Sequence, residues 1–396
     1  MKKLLCVVLA TAVMLSMSIF ASAEQTDEIA LTFGDDGKFT VLQISDTQDD
    51  HYPAYDMVNL IKLAIEETNP DLIVYTGDIV EDSRAGDFGV DGEDGREGVK
   101  VDSYEQCLAN VKATCEAVFT PAEEAKIPFA VTQGNNDYKG GITNEDWLAI
   151  YAEYDYCVTK DKSPDKEGRI DYNLEIKSDN GKTVFNIWLM DTKGGGVYEE
   201  QLDWYKSESA ALKEANGGVA VPSILFQHIP VVEIGNFFEE CNFWDEGAVI
   251  VGGKCYRLNH DLANGYHMSA EIPGQSSEQF KAWKECGDIL GAYFGHWHTE
   301  GYTGTWDGIE LGMTYGAEFA KPGPYGIRVF TISENDVENY ESELYTYEGS
   351  VKDGNARLEL QVDSEYEVYD NIFEKIIAFF KNTFSIIEKA ITSVFA

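Results

Sequence analysis

Short apolar, β-branched runs alternate along the chain with longer stretches whose apolar residues recur every three or four positions. FTVLQIS (39–45), DLIVYTG (71–77), IPFAVTQG (127–134), VFNIWLMD (184–191), SILFQH (223–228) and GAYFGH (291–296) read as strands, most of them ending in Gly, Asp or His. AYDMVNLIKLAIEET (54–68) and SYEQCLANVKATCEAVF (103–119) carry the helical period. This alternation predicts βαβ units and a mainly parallel core, whose functional loops leave the carboxyl ends of the strands. Further on, GYTGTWDGIELGMTY and YGIRVFTI read as consecutive antiparallel strands with Asp-Gly turns, so the sheet is expected to be mixed.

The two ends differ from this body. Residues 1–23 place two lysines before an apolar stretch that closes on Ala21-Ser22-Ala23, the build of a cleavable secretory signal, and the mature chain is expected to be secreted or extracytoplasmic. Cys6 lies early in the apolar stretch, which argues against a lipid-anchored cysteine. No second run approaches the roughly 20 apolar residues of a spanning helix. From 372, Phe373, Ile376, Ile377, Phe380, Phe384, Ile387, Ile391 and Phe395 form one broad apolar helical face. Two readings stand for this tail (366–396): packing on the main domain or on a second copy, or contact with a membrane or cell-surface layer.

Charge narrows the partners. The 396 residues hold 70 acidic against 30 basic side chains, a net charge of −40, and cleavage would remove two of the lysines. Such a surface offers no nucleic-acid-binding patch and repels acidic membranes. A phosphorylated substrate would need local positive charge, which bound metal cations supply. Cys107, Cys115, Cys157, Cys241, Cys255 and Cys286 remain after cleavage, an even set that permits disulfides, with Cys241 and Cys255 able to close a loop. The stretch 81–102 is rich in Asp, Glu and Gly and reads as a solvated loop without EF-hand spacing.

Five strand ends carry side chains suited to metals: SDTQ (45–48), GD (77–78), GNND (134–137), QH (227–228) and GHWH (295–298). Oxygen ligands combined with imidazoles suit Zn, Mn or Fe. Three of the chain's six histidines occupy these positions. Singly each fragment is a turn, a cap or a structural histidine; together and in this order they point to one centre.

This succession resembles the calcineurin-like metallophosphoesterase superfamily, whose pattern is D-x-H, GD, GNH-D/E, a lone His and GHxH. The resemblance runs from about 39 to 335, and GHWH followed by DGIELGMTYGAEF and YGIRVFTI is most similar to the short purple-acid-phosphatase-related branch. It implies an α/β fold of two stacked mixed β-sheets flanked by helices, within a domain spanning 24–365. It also implies two divalent or trivalent metal ions (Fe, Zn or Mn). Asp46 and His298, with Gln48 in the usual place of a histidine, would hold the first; Asp78 would bridge; Asn135, His228 and His296 would complete the second. In the family, two cations roughly 3.5–4 Å apart activate a shared hydroxide against the phosphorus. Asn136 and Asp137 are then expected at the reacting phosphate; Tyr138, Lys139 and Arg84 are candidate substrate contacts, each with a plain surface role as the alternative.

Two departures matter. Glu81 stands where iron-tyrosinate relatives have Tyr, so no purple colour is expected. Asn136 replaces a histidine that can protonate the leaving group; it can donate a hydrogen bond to phosphate but not a proton. The implied activity is an exported phosphoesterase acting on a small phosphate monoester or diester. The alternative is a catalytically weakened binding or surface protein on the same scaffold.

Overall fold

The computed structural model describes residues 29–81, 101, 103–139, 141–163, 168–273, 277–321 and 323–362. The leader, Arg84 with nearly all of the acidic loop, and the apolar tail lie outside the described residues. From Leu31 the chain forms β1 (Leu31–Thr32), β2 (Lys38–Ile44), α1 (Tyr55–Thr68), β3 (Leu72–Thr76), α2 (Tyr104–Ala125) and β4 (Phe129–Thr132). Next come α3 (Asn144–Tyr151), β5 (Tyr172–Lys177), β6 (Thr183–Met190), α4 (Glu199–Ala215) and β7 (Ser223–Gln227). The insertion 233–275 carries β8 (Phe238–Glu240), β9 (Val249–Val251), β10 (Lys254–Leu258) and β11 (Ala263–Tyr266). The chain ends through α5 (Glu278–Cys286), β12 (Ile289–Phe294), β13 (Gly301–Trp306), β14 (Ile309–Met313), β15 (Gly326–Ser333), β16 (Glu341–Glu348) and β17 (Arg357–Leu360).

All six strands expected from apolar runs are present, and they divide between two mixed sheets. A six-stranded sheet runs β17-β16-β15-β2-β3-β4 and an eight-stranded sheet runs β1-β5-β6-β7-β12-β14-β13-β11; β8, β10 and β9 form a small third sheet. β2, β3 and β4 are parallel, with Val41 opposite Leu72 and Thr76 opposite Thr132. β6, β7 and β12 are parallel in the other sheet, with Met190 opposite Gln227 and Tyr293 opposite Phe226. The carboxyl ends of both parallel sets therefore finish level, where loops gather in folds of this kind.

One topological expectation fails. β13 and β14 do form a hairpin, turning through Asp307 and Gly308, both with left-handed φ (46° and 82°). β15 does not continue it: it pairs antiparallel with β2 and β16 in the other sheet. The intervening residues 314–325 carry the chain from one sheet to the other, a switch that local hydrophobic pattern does not encode.

The helices explain their own ends. Ser103 caps α2 by accepting from the Gln106 N–H at 3.2 Å, and the helix runs through Pro121 to Lys126, which takes the left-handed conformation. α3 opens on a capping box between Thr143 and Asp146. α1 and α2 pack on each other, as do α4 and α5.

Between the two large sheets, the Phe330 ring lies 5.3 Å from that of Phe226 and 4.4 Å from that of Tyr293. Each fully buried ring contributes on the order of 2–3 kcal/mol. Beside them sits Arg328, 1% exposed. Its guanidinium donates to Thr314 Oγ1 (3.1 Å), Ser342 Oγ (3.0 Å), Met313 O (2.8 Å) and Tyr302 O (3.4 Å), joining β15 to β13, to β16 and to the end of β14. In the small sheet the Cys241 N–H donates to Cys255 O at 3.0 Å, so the two residues oppose each other, and the structure holds both as free thiols.

Arg328→Met keeps the stem and removes every donor, leaving buried oxygens without partners. Equilibrium urea denaturation should show a loss of roughly 3 kcal/mol. A change below about 0.5 kcal/mol would mean that the guanidinium does not tie the sheets together.

Candidate metal centre

The five motif fragments meet at one place because all five leave strand ends that finish level. Asp46 follows β2, Asp78 follows β3 and Asn135 follows β4; His228 follows β7, and His296 and His298 follow β12. The loops then approach backbone to backbone, and that closeness demands glycine. A Cβ on Gly134 would lie 2.1 Å from Asp78 Oδ1, and one on Gly295 would lie 1.8 Å from Ser45 Oγ. Asp46, Gln48, Asp78 and His296 all take left-handed φ (51°, 34°, 51° and 75°), a strained state for non-glycine residues that concentrates at functional sites.

The ligand atoms converge. Those of Asp78, His228 and His296 lie within 4.8 Å of one another, as do those of Asp46, Asp78 and His298, so Asp78 belongs to both groups. His228 Nε2 is 3.2 Å from Asp78 Oδ2, 3.2 Å from Asn135 Oδ1 and 3.3 Å from His296 Nδ1. His228 Nδ1 is 2.9 Å from Thr76 O; a carbonyl only accepts, so the proton sits on Nδ1 and Nε2 is left to bind. His298 Nε2 lies 3.3 Å from Asp46 Oδ1, and the other Asp46 oxygen accepts from Ser45 Oγ and from the His296 N–H at 3.0 Å.

The electrostatics show what the cluster lacks. Asp46 and Asp78 are essentially inaccessible to solvent. Burial raises the Asp46 pKa, but His228 and His298 outweigh it and hold the group at about 2. Asp78 is lowered in the same way, burial opposing and His228 prevailing. Burial lowers the two imidazoles, yet the carboxylates push His228 to about 9 and His298 to about 10. His296, buried beside His228, falls to about 4. Two buried carboxylates thus draw positive charge from the imidazoles. Two N/O donor triads that share one carboxylate fit a pair of Zn-, Mn- or Fe-type cations, which would replace that charge.

The remaining expected residues divide. Gln48 reaches the site, but its Nε2 donates to Asp78 Oδ2 at 2.7 Å. An amide nitrogen offers no lone pair to a cation, so in this orientation Nε2 supports the shared carboxylate and the amide oxygen is the one atom of Gln48 suited to a cation. Asn136 donates to the same carboxylate through its backbone N–H (2.8 Å to Oδ1) and its Nδ2 (2.8 Å to Oδ2), and its side chain lines the cavity. Asp137 holds two loops together. Its carboxylate accepts the N–H groups of Gly134 (2.8 Å), Ile79 (2.9 Å) and Val80 (3.2 Å), fastening the GNND loop to the GD loop. Burial, then Asp78, raises its pKa to about 7. Tyr138 turns to Asp191, which its hydroxyl meets in a short hydrogen bond; Asp191 also accepts the N–H groups of Ile170 (3.2 Å) and Lys193 (2.9 Å). Lys139 is exposed at the cavity wall.

The cavity over the centre measures about 530 Å³. Its wall adds Glu81, Glu271, Trp297, Glu318, Lys321 and Tyr325 to the motif residues. Sequence reasoning missed most of these. Glu271 follows β11 in the stretch that carries the small third sheet, and Glu318 lies within the DGIELGMTYGAEF stretch noted only as a family mark.

Comparison with known proteins finds relatives over much of the chain. At 24% identity over about three quarters of each chain, the protein is similar to Probable inactive purple acid phosphatase 14 of Arabidopsis thaliana, covering 75% of this chain and 74% of the relative. Probable inactive purple acid phosphatase 28 of the same plant is 21% identical over 72% of each. Among solved structures, a dimetal phosphatase from Danio rerio aligns over 83% of this chain and 99% of its own, at 12% identity and a TM-score of 0.47. The model of the calcineurin-like phosphoesterase family matches residues 39–300, and the chain belongs to that family.

Proposed function

We propose that the protein is an exported metal-dependent phosphoesterase that hydrolyses a small phosphate monoester or diester. The observation that carries this reading is the pair of carboxylate–imidazole triads sharing Asp78 at the floor of the 530 Å³ cavity. When bound there, two cations supply a nucleophilic hydroxide at neutral pH and neutralise phosphoryl oxygens. Asp78 would serve both positions, Asp46 and His298 would hold the first, and Asn135, His228 and His296 would hold the second. Asn136, which gives one amide hydrogen to Asp78, would offer the other to a phosphoryl oxygen. Lys139 and Lys321 bring positive charge to a wall otherwise rich in carboxylates. With 70 acidic side chains against 30 basic, a small phosphorylated molecule is a better partner than nucleic acid. Export rests on the leader, and amino-terminal sequencing of the mature protein should begin after Ala23.

A second reading has one observation in its favour. Gln48 and Asn136, the two amides standing where the family pattern has imidazoles, both donate to Asp78 Oδ2, and the two plant relatives bear names that include "inactive". A binding protein on this scaffold would load metal and not turn over. Metal analysis followed by assay on an aryl monoester and an aryl diester separates the two.

Asp78→Asn should reduce activity by several orders of magnitude, because one amide cannot serve both cation positions. Near-normal turnover by this variant, with metal content confirmed by elemental analysis, would exclude the shared-carboxylate mechanism.

The chemistry of the leaving group gives a separate test. An alkoxide of high pKa gains much from protonation as it departs, whereas a nitrophenolate needs little. The wild-type enzyme should therefore favour activated esters steeply. Asn136→His should raise alkyl phosphate turnover by about 10²-fold and leave nitrophenyl esters nearly unchanged. Equal leaving-group slopes at matched metal occupancy would show that position 136 never acts on the departing oxygen.

A further inference from the structure

The segment Tyr315-Gly316-Ala317-Glu318 has no part in the mechanism above, yet it is laced to both ligands of the first cation position. The Gly316 N–H donates to His298 O at 2.8 Å, and the Ala317 N–H donates to Ser45 O (2.8 Å) and Asp46 O (3.1 Å). The crossing is tight: a Cβ on Gly316 would lie 3.0 Å from His298 Cβ and 3.2 Å from Asp46 Cβ, so both ligand residues would have to give way. The next side chain, Glu318, is 2% exposed, and its Oε2 lies 2.8 Å from His298 Nδ1. Lys321 Nζ, on the cavity wall, lies 3.2 Å from the same oxygen and offsets its charge.

The His298 ring therefore spans two carboxylates, Glu318 at Nδ1 and Asp46 at Nε2. An ionised carboxylate can only accept, so Glu318 holds a proton on Nδ1 and leaves Nε2, the atom that faces Asp46, as the donor to a cation. A carboxylate behind a ligating imidazole fixes its tautomer and orientation and makes it a stronger ligand. The first position is where that help matters, since Gln48 gives its hydrogen bond to Asp78.

We infer that Glu318 is the positioning residue for His298, and that the 315–318 segment it ends is the clasp that builds the first cation position. The inference rests on the two-cation reading above. It predicts a loss confined to one of two ions, which neither a general fold defect nor a failed active-site assignment would produce.

The test uses the full chain as wild type, Glu318→Ala and Glu318→Gln, titrated with Zn²⁺ and with Mn²⁺ by calorimetry. In parallel, ¹⁵N spectra of the histidine rings are recorded on protein saturated with Zn²⁺, where each ligating ring keeps a single proton. Wild type should bind two ions. Glu318→Ala should bind one of them 10- to 100-fold more weakly and the other unchanged, and should lose the Nδ1–H signature of one ring. Glu318→Gln, whose amide oxygen still accepts from Nδ1–H, should keep that signature and lose less affinity. Two unchanged affinities in Glu318→Ala with an unaltered ring spectrum would overturn the inference. Should the alanine variant fail to fold, the glutamine variant decides: equal weakening of both ions, or a changed tautomer, overturns it. A wild-type chain that binds only one ion or none would instead remove the two-cation reading itself.

Discussion

Two carboxylates held out of water within one small cluster are the constraint around which the rest of this protein is arranged. Removing an ion from water costs several kcal/mol even after relaxation, and two like charges side by side cost more. Asp46 and Asp78 can both be buried because positive or polar groups converge on them from four strand ends: two imidazoles, the backbone N–H groups of Asn136 and His296, the Ser45 hydroxyl and two amide side chains. The glycines at 134 and 295, the left-handed aspartates and the level strand ends all follow from the need to bring those donors close. The fold supplies the close approach, and the carboxylates supply the reason for it.

Much of this was legible in the chain because the informative signals are local. A strand that ends in Gly-Asp or Gly-His announces itself by a run of β-branched residues followed by a breaker and a ligand, and each of the six expected strands exists. The ordering of those ends marks the family. What the chain did not disclose depends on tertiary geometry. Nothing local distinguishes β15 as a continuation of the β13–β14 hairpin from β15 as a strand of the opposite sheet, since both are amphipathic and follow a turn. Asp137 looks like an active-site acid in the string GNND, yet three backbone N–H groups claim its carboxylate, and only the approach of the GD loop reveals that. Glu318 was invisible for the opposite reason: it lies far along the chain from any histidine of the motif except those of GHWH, and its partner is set by a chain crossing.

The two amides distinguish this member from the family pattern by the same physics. An imidazole can bind a cation, carry a charge or pass a proton, whereas an amide stays neutral, passes no proton and meets a cation only through its oxygen. Placing Gln48 and Asn136 on Asp78 strengthens the grip on the shared carboxylate while removing one nitrogen ligand and one proton source. Chemistry at such a centre leans more heavily on the cations and on the substrate's own leaving group than on the protein's acids and bases.

The order in which the chain contributes to the two sheets carries a further consequence. The six-stranded sheet takes β2, β3 and β4 from the first third of the chain and β15 to β17 from beyond residue 325, while the eight-stranded sheet lies almost wholly between. Asp46 and Asp78 are thus made early, but their imidazole partners arrive with β7 and β12, and the strand beside β2 arrives later still. No partly synthesised chain can assemble the centre, because the early carboxylates wait unneutralised until the last third of the sequence folds back against them. A centre built in this order can take up cations only once that late strand has docked.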